Sequence, residues 1–232
     1  MNEKLLEALT RESTALVDAV DRDPLVGAVI RGDVSRAGYV AFLVATYHYV
    51  RWSGPLLAAS AAGLRRRGRY PWLADLVAEK AREEAPHDRW ALRDLEACGE
   101  PRELVGAREV PVAVSAYVDW SLALAETGSP AFLGAAYVLE AMSMRRAQRA
   151  AEALRARAAI PNIGAAVSFL VGHGDADVDH VARLDAVLGR IDDADDAAAI
   201  VLSASVLRTL YPRFFANGET VVSAARRDGR AA

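Results

Sequence analysis

The chain has 232 residues and a mass of 24.9 kDa, and 53% of it is hydrophobic, enough to bury a full core. A net charge of −3 at pH 7 and a pI near 5.9 exclude a global field that would draw the protein onto nucleic acid or anionic lipid. The single cysteine, Cys98, excludes an intramolecular disulfide, and with no signal-peptide pattern and no apolar run of about 20 residues to span a bilayer, a cytoplasmic protein is expected.

Much of the hydrophobic content is Ala, Val and Leu, with little of the alternation that strands show, so an all-α domain is expected. Leu5, Leu6, Leu9, Leu16 and Val20 form an apolar stripe on a first helix over 2–20. Asp23-Pro24 reads as an N-cap with proline at N1, opening a short helix to Arg31. Ser35 caps a third helix that runs to Trp52, with Pro55 bending or interrupting it before the stretch ending near Leu64. The arginines Arg65, Arg66 and Arg67 suit a solvated helix C-terminus. Pro71 opens a fourth helix that ends at Cys98-Gly99, with a kink or bulge expected at Pro86, which has no N–H to give the carbonyl of Arg82.

A fifth helix is expected over 111–126, and a sixth from Ser129-Pro130, Arg-rich and exposed beyond Arg145. Pro161-Asn162 restarts the chain into a seventh segment, in which Gly172 and Gly174 permit a bend or a close helix approach. Asp195 or a neighbour caps a final helix to about Ala216. The expectation is one domain over 1–217, a bundle of seven or eight helices, and a frayed tail over 218–232.

Three of the four histidines fall in two short segments, E83-E84-A-P-H87 and H173-G-D-A-D177-V-D-H180. At about 100° per residue, His173, Asp177 and His180 lie within roughly 60° of arc on one helix face. The same arithmetic puts Glu83 or Glu84 beside His87. Unpartnered ionisable groups are costly to bury, and a bound cation is one way for a helical core to hold such a cluster. Glu140 lies in the apolar stretch Y-V-L-E-A-M-S, where its alternatives are a metal ligand or a buried carboxylate paired with arginine. Mixed carboxylate and imidazole donors suit iron or manganese with open positions for oxygen chemistry. His48, between Tyr47 and Tyr49, reads as a hydrogen-bonded histidine of the core or of the layer behind the ligands. Cys98 reads as structural. The run Asp175, Asp177, Asp179 is not a calcium loop, because His180 stands where glycine is needed and Ala186 where the closing glutamate belongs.

At these residues the chain resembles the haem-oxygenase-like superfamily, in particular its iron-containing redox branch, the haem-oxygenase-like di-iron oxidases and oxygenases. The resemblance rests on E83-E84-x-x-H87-D-x-W90-x-L-x-D94-L95, on Y137-V-L-E140 and on F169-L-x-x-H173-x-x-x-D177-x-x-H180. It implies two Fe(II) ions held by Glu84 (with Glu83 in reserve), His87, Glu140, His173, Asp177 and His180, with O2 as co-substrate. The expected activity is C–H oxidation of a small metabolite, foremost a free aliphatic amino acid, by desaturation, hydroxylation, C–C cleavage or ring closure through nitrogen in specialised metabolism. A substrate carboxylate would want an arginine fork, for which Arg145, Arg146 and Arg208 are the candidates. Two positions depart from the pattern: proline precedes His87 where the family has glycine, and Lys80 stands where some relatives place their first glutamate. No nucleic-acid or membrane partner is expected, and a homodimer is common for such folds. The alternatives are a metal-free helical binding protein of the same fold and a thiaminase-like hydrolase using Cys98.

Overall fold

The computed structural model describes residues 3–216, and of residues 174–182 the backbone alone. Among these residues the structure is all-helical: α1 (Glu3–Arg22), α2 (Pro24–Arg31), α3 (Arg36–Val50), α4 (Ser53–Arg67), α5 (Pro71–Glu84), α6 (Asp88–Ala97), the single turn α7 (Arg102–Val105), α8 (Val112–Thr127), α9 (Phe132–Arg157), α10 (Ser168–Leu188) and α11 (Ala194–Leu210). Short 3₁₀ turns lie before α10 at Ile163–Ala165 and after α11 at Tyr211–Phe215. No helix among the described residues is long and apolar enough to cross a membrane.

The starts of the helices follow from local chemistry. Asp23 accepts from the amides of Leu25 and Val26 at 2.9 and 2.8 Å, with Pro24 at N1, and Ser35 accepts from Gly38 at 3.1 Å, each satisfying amides that a helix leaves open. Asp193, two residues before the expected Asp195, caps α11 through the Asp196 amide at 2.9 Å.

The expected third and fourth helices are each divided in two, and with the short turn α7 in the connection that follows, eleven segments appear where seven or eight were expected. The third helix ends at Val50, and Arg51 and Trp52 turn the chain into α4 with Pro55 inside its first turn, where a missing N–H costs nothing. The fourth ends at Glu84, and Ala85, Pro86 and His87 form a turn rather than a kink, with His87 as the N-terminal boundary of α6. Pro212 likewise ends α11 early and passes the chain into a 3₁₀ turn. The far half of α9 was expected to be exposed; instead Ala147, Ala150, Ala151 and Leu154 are buried while the arginines between them face outward.

The long α9 is the centre of the bundle, packed against α1, α2, α10 and α11, while α4 packs on α5 and α8, and α6 bridges α3 and α10. Where α9 crosses α11, Gly134 lies against the backbone of Ile200, leaving no room for a Cβ. The consequence for the site is a fixed meeting of three elements: the α5–α6 turn, the middle of α9 and the first half of α10.

Candidate metal centre

Glu84 is the last residue of α5, and His87 lies one turn further on. Glu84 Oε2 is 2.8 Å from His87 Nδ1, yet that buried nitrogen makes no aligned hydrogen bond. The two atoms are therefore within reach of each other without being aligned as donor and acceptor, a separation that a shared ion could bridge. His173 comes to them from α10. Ligand atoms of Glu84, His87 and His173 all lie within 4.8 Å of one another, and the two imidazole rings meet edge to face at 5.0 Å.

Three contacts position these rings. His173 Nδ1 is 2.9 Å from the carbonyl of Phe169; facing only an acceptor, it carries the proton, which leaves the Nε2 lone pair for a ligand. His87 stacks on Trp90 at 4.2 Å, and Trp90 meets His173 edge to face at 5.4 Å. Asp94, fully buried on α6, accepts from the Ser168 amide and hydroxyl at 2.8 and 2.6 Å and from the Phe169 amide at 2.9 Å. A carboxylate from one helix thus caps the first turn of another, four residues before His173.

Electrostatics favours metal-ready protonation states. Burial pushes the Glu84 carboxyl up, but the neighbouring His87 and the Lys80 ammonium outweigh it and hold it down at about 2. Burial is also the main influence on His173, lowering it to about 4, so that near neutrality its imidazole is uncharged and able to donate a lone pair. An anionic carboxylate with neutral imidazole is the donor set that suits divalent iron.

Glu83 is more exposed than Glu84, with side chains 46% and 14% accessible, and only Glu84 approaches His87. Glu140 reaches the same region from α9, and a lysine is among its partners, with Lys80 Nζ 3.6 Å from Oε1. Lys80 also lies 3.0 Å from Glu84 Oε1 and 3.9 Å from Glu83 Oε2. The side chains of Asp177 and His180 lie outside the described residues. His48 is wholly buried on α3 beside Tyr47 at 5.5 Å, and neither ring nitrogen makes an aligned hydrogen bond, so among the described residues nothing ties it to the cluster.

Glu84, Glu140, His173 and Lys80 form part of the wall of a cavity of about 570 Å³. Much of the remaining wall is apolar, with Phe42, Leu56, Val77, Leu139, Phe169 and Leu170 among its members. Of the arginines proposed for a substrate carboxylate, Arg146 lines the cavity but is held by Asp21 at 2.8 and 2.7 Å. Arg208 is bound to Glu12 at 2.6 Å and Arg145 is exposed; neither lines the cavity. Arg183 and Arg190, which the sequence did not single out, do. Cys98 is buried with its thiol pushed up to about 11 by burial and is absent from the cavity wall, the opposite of an activated nucleophile.

The sequence of residues 40–210 matches the family model described as iron-containing redox enzyme. The fold is similar to that of a domain of unknown function with a haem-oxygenase-like fold from Shewanella denitrificans OS217, with a TM-score of 0.81 and 19% identity over 97% of this chain and 95% of that one. It is also similar to a TenA homologue from P. horikoshii OT3 (TM-score 0.69, 17% identity, 92% and 99% covered). A TenA homologue from Pseudomonas syringae pv. tomato gives a TM-score of 0.69 at 14% identity, with 94% and 92% covered. No curated protein matches the chain.

Proposed function

Because this chain belongs to the iron-containing redox enzyme family, we propose that it is an iron-dependent oxidoreductase that uses dioxygen to oxidise a small molecule bound in its central cavity. The observation that carries the reading is the convergence of Glu84, His87 and His173 within 4.8 Å on the edge of an apolar cavity. When bound, iron would supply the redox chemistry and the open positions at which dioxygen is used.

The protein's own contribution is to orient and to keep water out. Asp94 fixes the first turn of α10, the Phe169 carbonyl fixes the His173 ring, and Trp90 backs His87. The cavity of about 570 Å³ falls in the range of roughly 300–1,000 Å³ that takes drug-sized ligands. Its lining supports a larger, mainly apolar substrate over the free aliphatic amino acid that the resemblance implied. Oxidation at an unactivated carbon, by desaturation, hydroxylation or bond cleavage, is the class of outcome that such a site accommodates.

The test is anaerobic reconstitution with Fe(II), followed by metal analysis and by oxygen consumption against a panel of aliphatic acids, amines, alcohols and amino acids. Iron uptake that is lost in His87→Ala and His173→Ala, with substrate-dependent oxygen consumption, is the expected result. An intact protein that takes up no iron would favour a metal-free binding protein instead. Activity that survives chelation but not Cys98→Ala would favour a thiol hydrolase, against which the buried, protonated thiol already argues.

A further inference from the structure

We infer that the end of the cavity remote from the iron ligands is an anion site built on Arg190, so that the molecule bound there is an extended apolar chain whose terminal carboxylate or phosphate is held away from the metal. This rests on reading the cavity as the substrate site of an iron enzyme, and it gives that substrate a class and a direction. The cavity is flanked lengthwise by α5 and α10, which run past each other in opposite senses. Glu84 at the end of α5 meets His173 near the start of α10, and Trp72 at the start of α5 meets Arg190 just beyond the end of α10. Between these two meetings the wall includes Leu73, Leu76 and Val77 from α5 and Leu184 and Val187 from α10.

The guanidinium of Arg190 lies over the face of Trp72, 3.5 Å from the ring centroid. That contact occupies the flat face of the group and leaves its N–H edge for a bidentate oxyanion. Asp192 and Asp193, the acids next in the chain, are turned to Tyr70 and Arg69, and among the described residues no carboxylate pairs with Arg190. Arg190 and Leu76 are both exposed while lining the cavity, which places them at its mouth, where an ionic headgroup stays in reach of water. Charge along the wall has the same direction. The carboxylates of α5 that line it, Glu79, Glu83 and Glu84, fall in the half of that helix next to the iron ligands, whereas Arg183 and Arg190 fall towards the far end of α10.

Helix geometry sets the length. At the helical rise, Trp72 lies about 18 Å from Glu84 along α5, and Leu188, just before Arg190, lies about 22 Å from His173 along α10. An extended chain advances about 1.2 Å per bond, so a chain of about ten to fifteen carbons reaches the iron end with its anion on Arg190.

The experiment measures binding to the full-length protein by calorimetry, without metal and after anaerobic loading with Fe(II), for straight-chain acids, alkyl phosphates and alcohols of about 6 to 18 carbons. An anion of about ten to fifteen carbons should bind tightest, and about tenfold or more tighter than the alcohol of equal length. Whichever anion is preferred identifies the headgroup. Arg190→Gln should erase that difference by weakening the anions alone, with iron retention unchanged. In the loaded protein, NMR of isotopically labelled ligand should show paramagnetic broadening at the methyl end of the chain and not at the headgroup end. Equal binding of anions and alcohols by the wild type would overturn the inference while leaving the iron-enzyme reading intact. So would an Arg190→Gln that weakens alcohols as much as anions, or broadening at the headgroup end. A protein that discriminates as expected yet takes up no iron would overturn the iron reading and leave the anion site standing.

Discussion

Asp94 Oδ1 accepts the hydroxyl of Ser168 at 2.6 Å and its amide at 2.8 Å, and through this one carboxylate α6 holds the start of the helix that carries His173. The group is fully buried, and burial pushes its carboxyl up while the three bonds from Ser168 and Phe169 pull it down. Asp94→Ala would leave the Ser168 and Phe169 amides without their acceptor, at a cost of about 2–4 kcal/mol, while the Ser168 hydroxyl would keep only its longer contact with the Trp90 carbonyl at 3.4 Å. Urea denaturation should show that loss. Metal analysis should show weaker iron retention even though no ligand has changed, whereas wild-type retention in a destabilised Asp94→Ala would mean that the cap does not position His173.

Gly172 and Trp90 form a further contact between α6 and α10. A Cβ at position 172 would lie 2.7 Å from Trp90 Cζ3, and the indole is already stacked with His87 at 4.2 Å. Gly172→Ala is therefore expected to cost about 1–3 kcal/mol by overpacking and to alter Trp90 fluorescence. Adding Trp90→Phe should recover part of the loss in a double-mutant cycle. Additive effects would show that the two residues do not press on each other.

The pH dependence of the iron-free protein has a definite sign. The folded His173 has its pKa lowered from 6.5 to about 4, so the unfolded chain binds the extra proton first. Its contribution to stability is complete above about pH 6.5 and is lost as pH falls towards 4, amounting to at most about 3 kcal/mol. Glu84, held at about 2 against an ordinary value of 4.5, adds a loss in the same direction below about pH 4.5. Chemical denaturation in the presence of a chelator should show stability falling from pH 7 to pH 4. For His173→Gln the part between 6.5 and 4 should be absent.

The two adjacent glutamates separate cleanly. Glu84→Gln should abolish iron retention, because an amide oxygen beside His87 lacks the charge that offsets the ion. Glu83→Gln, at a largely exposed position, should retain iron at wild-type levels and change stability by no more than about 0.5 kcal/mol. Equal loss in both would mean that the pair acts as a unit.

Helix starts were legible because capping is local: Asp23 and Ser35 sit where their side chains reach amides two or three residues on. The approach of Glu84 to His87 was legible for a related reason, since i, i+3 spacing brings the two side chains to one side of the turn. Contacts between distant segments were not. Asp94 stood in the family pattern without a role, and only the fold shows that it reaches Ser168. Lys80 was visible as a departure from that pattern, and its i, i+4 relation to Glu84 was readable, but its approach to Glu140 depends on how α5 meets α9. The arginines misled because a guanidinium on a helix looks the same whether it faces a ligand or, like Arg146 and Arg208, an aspartate or glutamate on α1. The proline in the α5–α6 turn showed where the helix would be disturbed, though not that it would be cut outright.

The His173 ring is oriented by a main-chain carbonyl, that of Phe169, rather than by a neighbouring acid. The Phe169 ring also lies 4.2 Å from the imidazole, so exchange of the side chain at 169 would reshape the cavity and remove one support of the ring, while the main-chain carbonyl would still be there to set its tautomer. Divergence in what such a protein accepts is thereby linked, through a single residue, to how its reactive centre is held.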